Sequence, residues 1–167
     1  MDVKNERNFT LIAPHVKGQA QVWQLFDGNK CAGMNVSPML SWKDAPPETC
    51  SFAVTMYDRD APSGSGWWHW IVYNISSMVS GLPENAGNPQ LNLLPEGASQ
   101  GLNDFGLHGY SGPCPPKGDG IHEYMITVYA LSVSHIDLQT DSTPASIGFQ
   151  IHANTIEKAS VVMYYSR

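Results

Sequence analysis

The sequence predicts a mainly β fold: an antiparallel sandwich with Greek-key connections and one or two short helices. Three observations lead there. Short runs rich in β-branched and aromatic residues recur along the chain. Glycine (15) and proline (12) are frequent, so the chain turns often and long helices are disfavoured. One stretch alone combines helical spacing with a helix start signal.

Taken in order, the apolar stretch from Phe9 to Ala13 fits a first strand, and residues 14–36 are irregular. Ser37 to Trp42 reads as a short strand or its entry, and Pro46-Pro47 turns the chain. From Cys50 to Asp58, alternation puts Phe52, Val54 and Met56 on one face and Ala53, Thr55 and Tyr57 on the other. Both faces are largely apolar, as in a central strand covered on each side. Asp58-Arg59-Asp60-Ala61-Pro62 ends this strand, and Ser63-Gly64-Ser65-Gly66 is a flexible turn. Trp67 to Ile75 is the next strand. Residues 76–120, rich in Gly and Pro, are mostly loop, a length uncommon without a functional reason. Ile121 to Leu131 is a third clear strand. Thr143 suits an N-cap before Pro144, and Ile147, Ile151 and Asn154 carry the spacing of a helix over 144–157. Ala159 to Tyr165 returns to strand. No repeat or linker divides the chain, so residues 1–167 form a single domain.

Charged residues make up only 14% and the net charge is −6. An acidic chain without a basic run lacks the face a nucleic-acid binder needs to displace counterions. The same balance disfavours nonspecific docking on anionic membranes, and any anion site must be local. No apolar run resembles a signal peptide or a transmembrane segment. Three cysteines, Cys31, Cys50 and Cys114, form an odd and sparse set, which predicts reduced thiols and a cytoplasmic location, or a periplasmic one if an export signal has been removed. The chain lacks H-E-x-x-H, G-x-S-x-G and P-loop patterns, and no cofactor is expected.

Four polar side chains stand beside otherwise apolar runs. His122 and Tyr124 share a face of the third strand, His69 lies in the second, and Asp58 closes the first. Buried polar groups are costly unless paired, so the economical arrangement is for these to meet. An aspartate between two histidines would hold both rings and favour their charged forms. Two imidazole donors, the Tyr124 hydroxyl and nearby backbone N–H groups would then face an anion. Spacing alone also admits separately satisfied polar residues. The same Asp/His/His set describes metal ligands or an acid–base pair, which keeps a metal-dependent or acid–base enzyme as the alternative. Gly109 to Gly118, with Pro113, Pro115 and Pro116, reads either as a rigid surface loop or as a preorganised pocket wall holding a cis X–Pro bond. Within it, Cys114 is expected to be a small structural residue. His152 belongs to the predicted helix as a surface or packing residue.

Asp58-Arg59-Asp60-Ala61-Pro62, followed by His69-Trp70-Ile71-Val72-Tyr73-Asn74-Ile75, resembles the first signature of the phosphatidylethanolamine-binding protein family. Gly109-Tyr110-Ser111-Gly112-Pro113-Cys114-Pro115-Pro116-Lys117-Gly118, then His122 and Tyr124, resembles the second. Asn35-Val36-Ser37-Pro38 with Trp42 is similar to an upstream element, and Asn103-Asp104-Phe105-Gly106 to the bacterial, Raf-kinase-inhibitor-like branch. The resemblance implies a large central antiparallel sheet, a smaller second sheet and a pocket for phosphate, phosphorylethanolamine or a phospholipid headgroup. It implies pocket positions for Asp58, Asp60, Pro62, His69, Pro115, His122 and Tyr124, with Trp68 and Gly112 at the border. It further implies a homodimer, and the kinase and protease regulators among eukaryotic relatives suggest a regulated protein partner. Arg59 departs from the family's usual proline and is expected to face outward or pair locally.

Overall fold

The computed structural model describes residues 8–167; the polar start, Met1–Arg7, lies outside them. In chain order the elements are β1 (Thr10–Ile12), β2 (Leu40–Lys43), β3 (Ser51–Asp58), β4 (Trp67–Ser76), β5 (Gly81–Leu82), β6 (Ser99–Gln100), β7 (His122–Leu131), α1 (Pro144–Ala153) and β8 (Thr155–Tyr165). A short 3-10 turn covers Val22–Gln24. Two antiparallel sheets result, one ordered β1-β2-β5 and the other β6-β4-β3-β7-β8. Within the larger sheet, β7 returns to lie beside β3, which gives the expected Greek-key order β6-β4-β3-β7.

The sheets pack face to face. Leu11, Leu40, Trp42 and Leu82 of the small sheet meet Phe52, Val54, Met56, Trp70, Val72, Ile126 and Val128 of the large one. The other face of the large sheet carries Ala53, Ile71, Tyr73, Tyr129 and Leu131, and Ile147 and Ile151 of α1 cover it together with Ile136. β3 is therefore central and apolar on both sides, as its sequence predicts.

α1 starts as expected, with the Thr143 hydroxyl accepting from Ser146 N–H at 3.2 Å and Pro144 in the first turn. It stops at Ala153, short of the predicted 157. Asn154 caps it, and Thr155 pairs with Leu131 in β8, which thus begins earlier than Ala159. The ladder with β7 satisfies more backbone groups than another helical turn would. The long loop also yields ladder residues: β5 pairs with β2, and β6 with β4.

β4 contains two bulges. One accommodates Asn74 at φ 59°, between the pairs Phe52↔Ile75 and Val54↔Val72. The other falls at His69, because Met56 pairs with Trp70 and Tyr57 with Trp68. A bulge re-aims a side chain. Here His69 contacts Tyr124 of the sandwich core, the side that Trp70 also faces, while Trp68 lies on the helix side.

Two sequence expectations are corrected in the loops. Cys31 and Cys114 are joined in a disulfide, with Cα atoms 5.7 Å apart, leaving Cys50 free and exposed. The count of cysteines gave no hint that residues 26–35 and 110–114 lie side by side. Phe26 N–H donates to the Pro113 carbonyl at 3.2 Å, and Asn35 Nδ2 donates to the Tyr110 carbonyl at 2.9 Å. The cis X–Pro bond that the pocket-wall reading of residues 109–118 allowed is absent: every described peptide bond is trans.

Candidate functional site

The pocket sits at one end of the large sheet, on its sandwich-core side. Asp58 is the last residue of β3, His122 the first of β7, and Trp67 the first of β4. Strand pairing brings them together, since Asp58 opposes both Trp67 and Tyr124. The cavity measures about 250 Å³ and is lined by Asp58, Pro62, Trp67, His69, Phe105, Pro115, His122 and Tyr124, with Ala61, Ser63, Cys114 and Pro116.

His69 is 3% exposed, and its Nδ1 lies 2.6 Å from the Ser111 carbonyl. Only a protonated Nδ1 can meet a carbonyl, so the neutral ring leaves Nε2 as an acceptor. Burial lowers its pKa to about 4, against the opposing effects of the Ser111 carbonyl and the Asp58 charge. Asn103 organises this arrangement. Its Nδ2 donates to Ser111 Oγ at 3.0 Å and to the Gly109 carbonyl at 3.1 Å, while its Oδ1 accepts from Phe105 and Leu107 N–H.

His122 is held differently. Its Nδ1 donates to Asp58 Oδ2 at 2.8 Å and its Nε2 to Asp119 Oδ2 at 3.0 Å. Burial opposes the charged ring, but the hydrogen bonds and charges of the two carboxylates outweigh it and raise the pKa. The expected order, one aspartate between two histidines, is thereby reversed: one histidine lies between two aspartates, and only this ring has its charged form favoured. Asp58 does not bond His69; its Oδ1 accepts from Asp60 N–H at 2.9 Å.

Tyr124 is fully buried, and among the described residues its hydroxyl makes no well-formed hydrogen bond. Burial, reinforced by the Asp58 charge, pushes its pKa far up. The phenol therefore stands beside the Asp58 carboxylate, in the wall of the cavity, without a well-formed hydrogen bond to it.

Of the residues singled out in the sequence, Asp58, Pro62, His69, Pro115, His122 and Tyr124 converge on the cavity. Asp60, Trp68 and Gly112 do not line it. The Asp60 carboxylate accepts from Glu123 N–H at 2.8 Å and braces β3 against β7. Trp68 lies on the helix side, its ring tilted by 52° against that of Tyr57 with centroids 4.7 Å apart. Gly112 donates its N–H to Asn35 Oδ1 at 2.8 Å, and a Cβ there would lie 2.0 Å from the Gln24 carbonyl oxygen. Arg59 is half exposed and pairs with Glu123 of the neighbouring strand β7.

Sequence reading missed Trp67, Phe105 and Asp119. Strand alternation from His69 pointed to Trp67. Asp119 stood three residues before His122 between glycines, a usable signal, and Phe105 belonged to the Asn103-Asp104-Phe105-Gly106 motif but was not assigned to the pocket. Cys114 does border the cavity, but as half of a disulfide. Among the described residues, no group of three His, Cys, Asp or Glu side chains is arranged to hold a metal ion.

A family model described as "Phosphatidylethanolamine-binding protein" matches residues 17–166. The chain is 48% identical over 141 residues to UPF0098 protein YbcL of Escherichia coli, covering 84% of this chain and 77% of that one. It is 43% identical over 142 residues to UPF0098 protein YbhB of the same organism, covering 85% and 89%. The crystal structure of E. coli YbcL, described as a new member of the mammalian PEBP family, superposes with a TM-score of 0.92 at 43% identity, covering 95% of this chain and 98% of that chain. A PEBP homologue from Chlamydia trachomatis, CT736, superposes with a TM-score of 0.77 at 30% identity, covering 96% and 99%. Fold, signatures and family match agree: this chain belongs to the phosphatidylethanolamine-binding protein family.

Proposed function

We propose that this chain is a binding protein rather than an enzyme, and that its pocket takes a phosphate-bearing headgroup or metabolite of phosphorylethanolamine size. The observation that carries the reading is the Tyr124 hydroxyl, a buried donor in a cavity wall that makes no well-formed hydrogen bond. An unpaired buried donor costs about 1–3 kcal/mol, which a bound oxyanion would recover. His69 supports the same reading from the other side. Its free Nε2 accepts, so the matching ligand brings a proton, as hydrogen phosphate does, or gives one to the ring.

The cavity, at about 250 Å³, suits a headgroup and leaves no room for acyl chains. Calorimetry with inorganic phosphate and with phosphorylethanolamine at slightly acidic pH tests the proposal. Binding is expected in the wild type and lost in His69→Ala; no binding of either ligand would sink it. Because His69 must gain a proton or receive one with the ligand, affinity is expected to fall as pH rises.

The proposal extends to a homodimer. Leu91, Leu93 and Leu107 are 49%, 40% and 50% exposed on the long loop region and offer apolar contacts. Light scattering on the purified chain should give twice the 18.3 kDa chain mass. A regulated protein partner would read the same pocket, and its capture would be lost in His69→Ala. The Cys31–Cys114 bond favours an oxidising compartment such as the periplasm over the cytoplasm expected from the cysteine count.

A further inference from the structure

An anion in this pocket needs donors, yet both ring nitrogens of His122 are already occupied. Two carboxylates hold them, and the two are not equivalent. The Asp58 side chain is only 4% exposed, sits at the end of β3 and accepts a second hydrogen bond, from Asp60 N–H. The Asp119 side chain is 37% exposed, and among the described residues its one side-chain hydrogen bond is to His122 Nε2 at 3.0 Å. Asp119 stands between Gly118 (φ 82°) and Gly120 (φ 94°), both with open space where a Cβ would be. Asp119 thus sits on an exposed turn between two residues without side chains, whereas Asp58 ends a paired strand and is held there by a second hydrogen bond.

Charge makes the same distinction. With Asp58 and Asp119 ionised, His122 protonated and His69 neutral, the centre carries one net negative charge. An entering anion is repelled until Asp119 withdraws, which leaves the Asp58–His122 pair neutral and frees an N–H at Nε2.

We propose that Asp119 is an internal carboxylate ligand of His122, displaced by the incoming anion, and so the residue that sets which anions the pocket accepts. This deepens the anion-site reading above and rests on it. The consequence is selectivity. A simple carboxylate such as acetate offers His122 nothing that Asp119 does not already supply. A phosphate has additional oxygens for the Tyr124 hydroxyl and for a P–OH donated to His69 Nε2, so it can win the exchange. The side chain acts as a filter for phosphate over carboxylate.

Calorimetry with inorganic phosphate and with acetate, on the wild type, Asp119→Ala and Asp119→Asn, tests this. Asp119→Ala is expected to bind phosphate about tenfold more tightly, equivalent to ~1.4 kcal/mol. Acetate should gain more than phosphate, so that the ratio of the two affinities shrinks. Asp119→Asn, which keeps an acceptor but loses the charge, should show part of the gain, and it decides the matter if the alanine variant does not fold. Phosphate added to the wild type should also shift the amide resonances of Gly118 and Gly120 as the carboxylate leaves. Unchanged or weaker phosphate binding in the variants of a wild type that does bind would overturn the filter and leave the anion site standing. Absence of phosphate binding in all three proteins would instead remove the anion site, and the filter with it.

Discussion

At the scale of single residues, the pocket separates groups that stabilise the fold from groups that do not. Tyr124 belongs to the second kind, since its hydroxyl is buried and makes no well-formed hydrogen bond. Tyr124→Phe is therefore expected to stabilise the empty protein by about 1 kcal/mol, read as a higher melting temperature. The same change should weaken phosphate binding about tenfold in calorimetry, the worth of a hydrogen bond to a charged acceptor. A variant that lost stability while keeping affinity would show that the hydroxyl serves the fold. Much of this site was legible in sequence. Period two put His122 and Tyr124 on one face, and the apolar run around His69 marked a buried imidazole. The misjudged part was the partnership among the charges. Which carboxylate meets which ring depends on a bulge at His69 and on a Gly-Asp-Gly turn, and neither leaves a periodic trace.

At the scale of elements, the strands were read more accurately than the loops. β3, β4 and β7 begin and end within a residue of their sequence limits, because alternation and flanking turn residues both mark them. Cross-chain loop contacts leave no such mark, and the Cys31–Cys114 bond was missed for that reason. That bond ties the Pro115–Pro116 wall to the loop after the 3-10 turn, across a sequence separation of 83. A chain-entropy argument gives a loop of that length about 4.5 kcal/mol as an upper value. Replacing both residues by alanine should cost about 2–4 kcal/mol in urea unfolding and loosen phosphate binding as well. Unchanged stability would mean that the two loops are held by their hydrogen bonds alone.

At the scale of the whole molecule, the two buried histidines bound the pH range of stability from opposite sides. His122 has a raised pKa, so its contribution is full below about 6.5 and is lost as pH rises through its higher folded value. His69 has a lowered pKa. Below 6.5 the unfolded chain takes a proton that the folded ring refuses until about 4, and stability drains away across that interval. Urea midpoints measured from about pH 4 to about pH 9 should therefore pass through a maximum. His69→Gln should flatten the acid limb and His122→Gln the alkaline one. The Greek-key path has a further consequence, in time rather than in energy. Asp58 and His122 are 64 residues apart, and β7 reaches β3 only after β4, β5 and β6 have been traversed. The pocket cannot assemble from any local segment, so it forms at the end of a slow, non-local search. Recovery of phosphate binding during refolding would then track the final folding phase, making the ligand a clock for completion of the chain's topology.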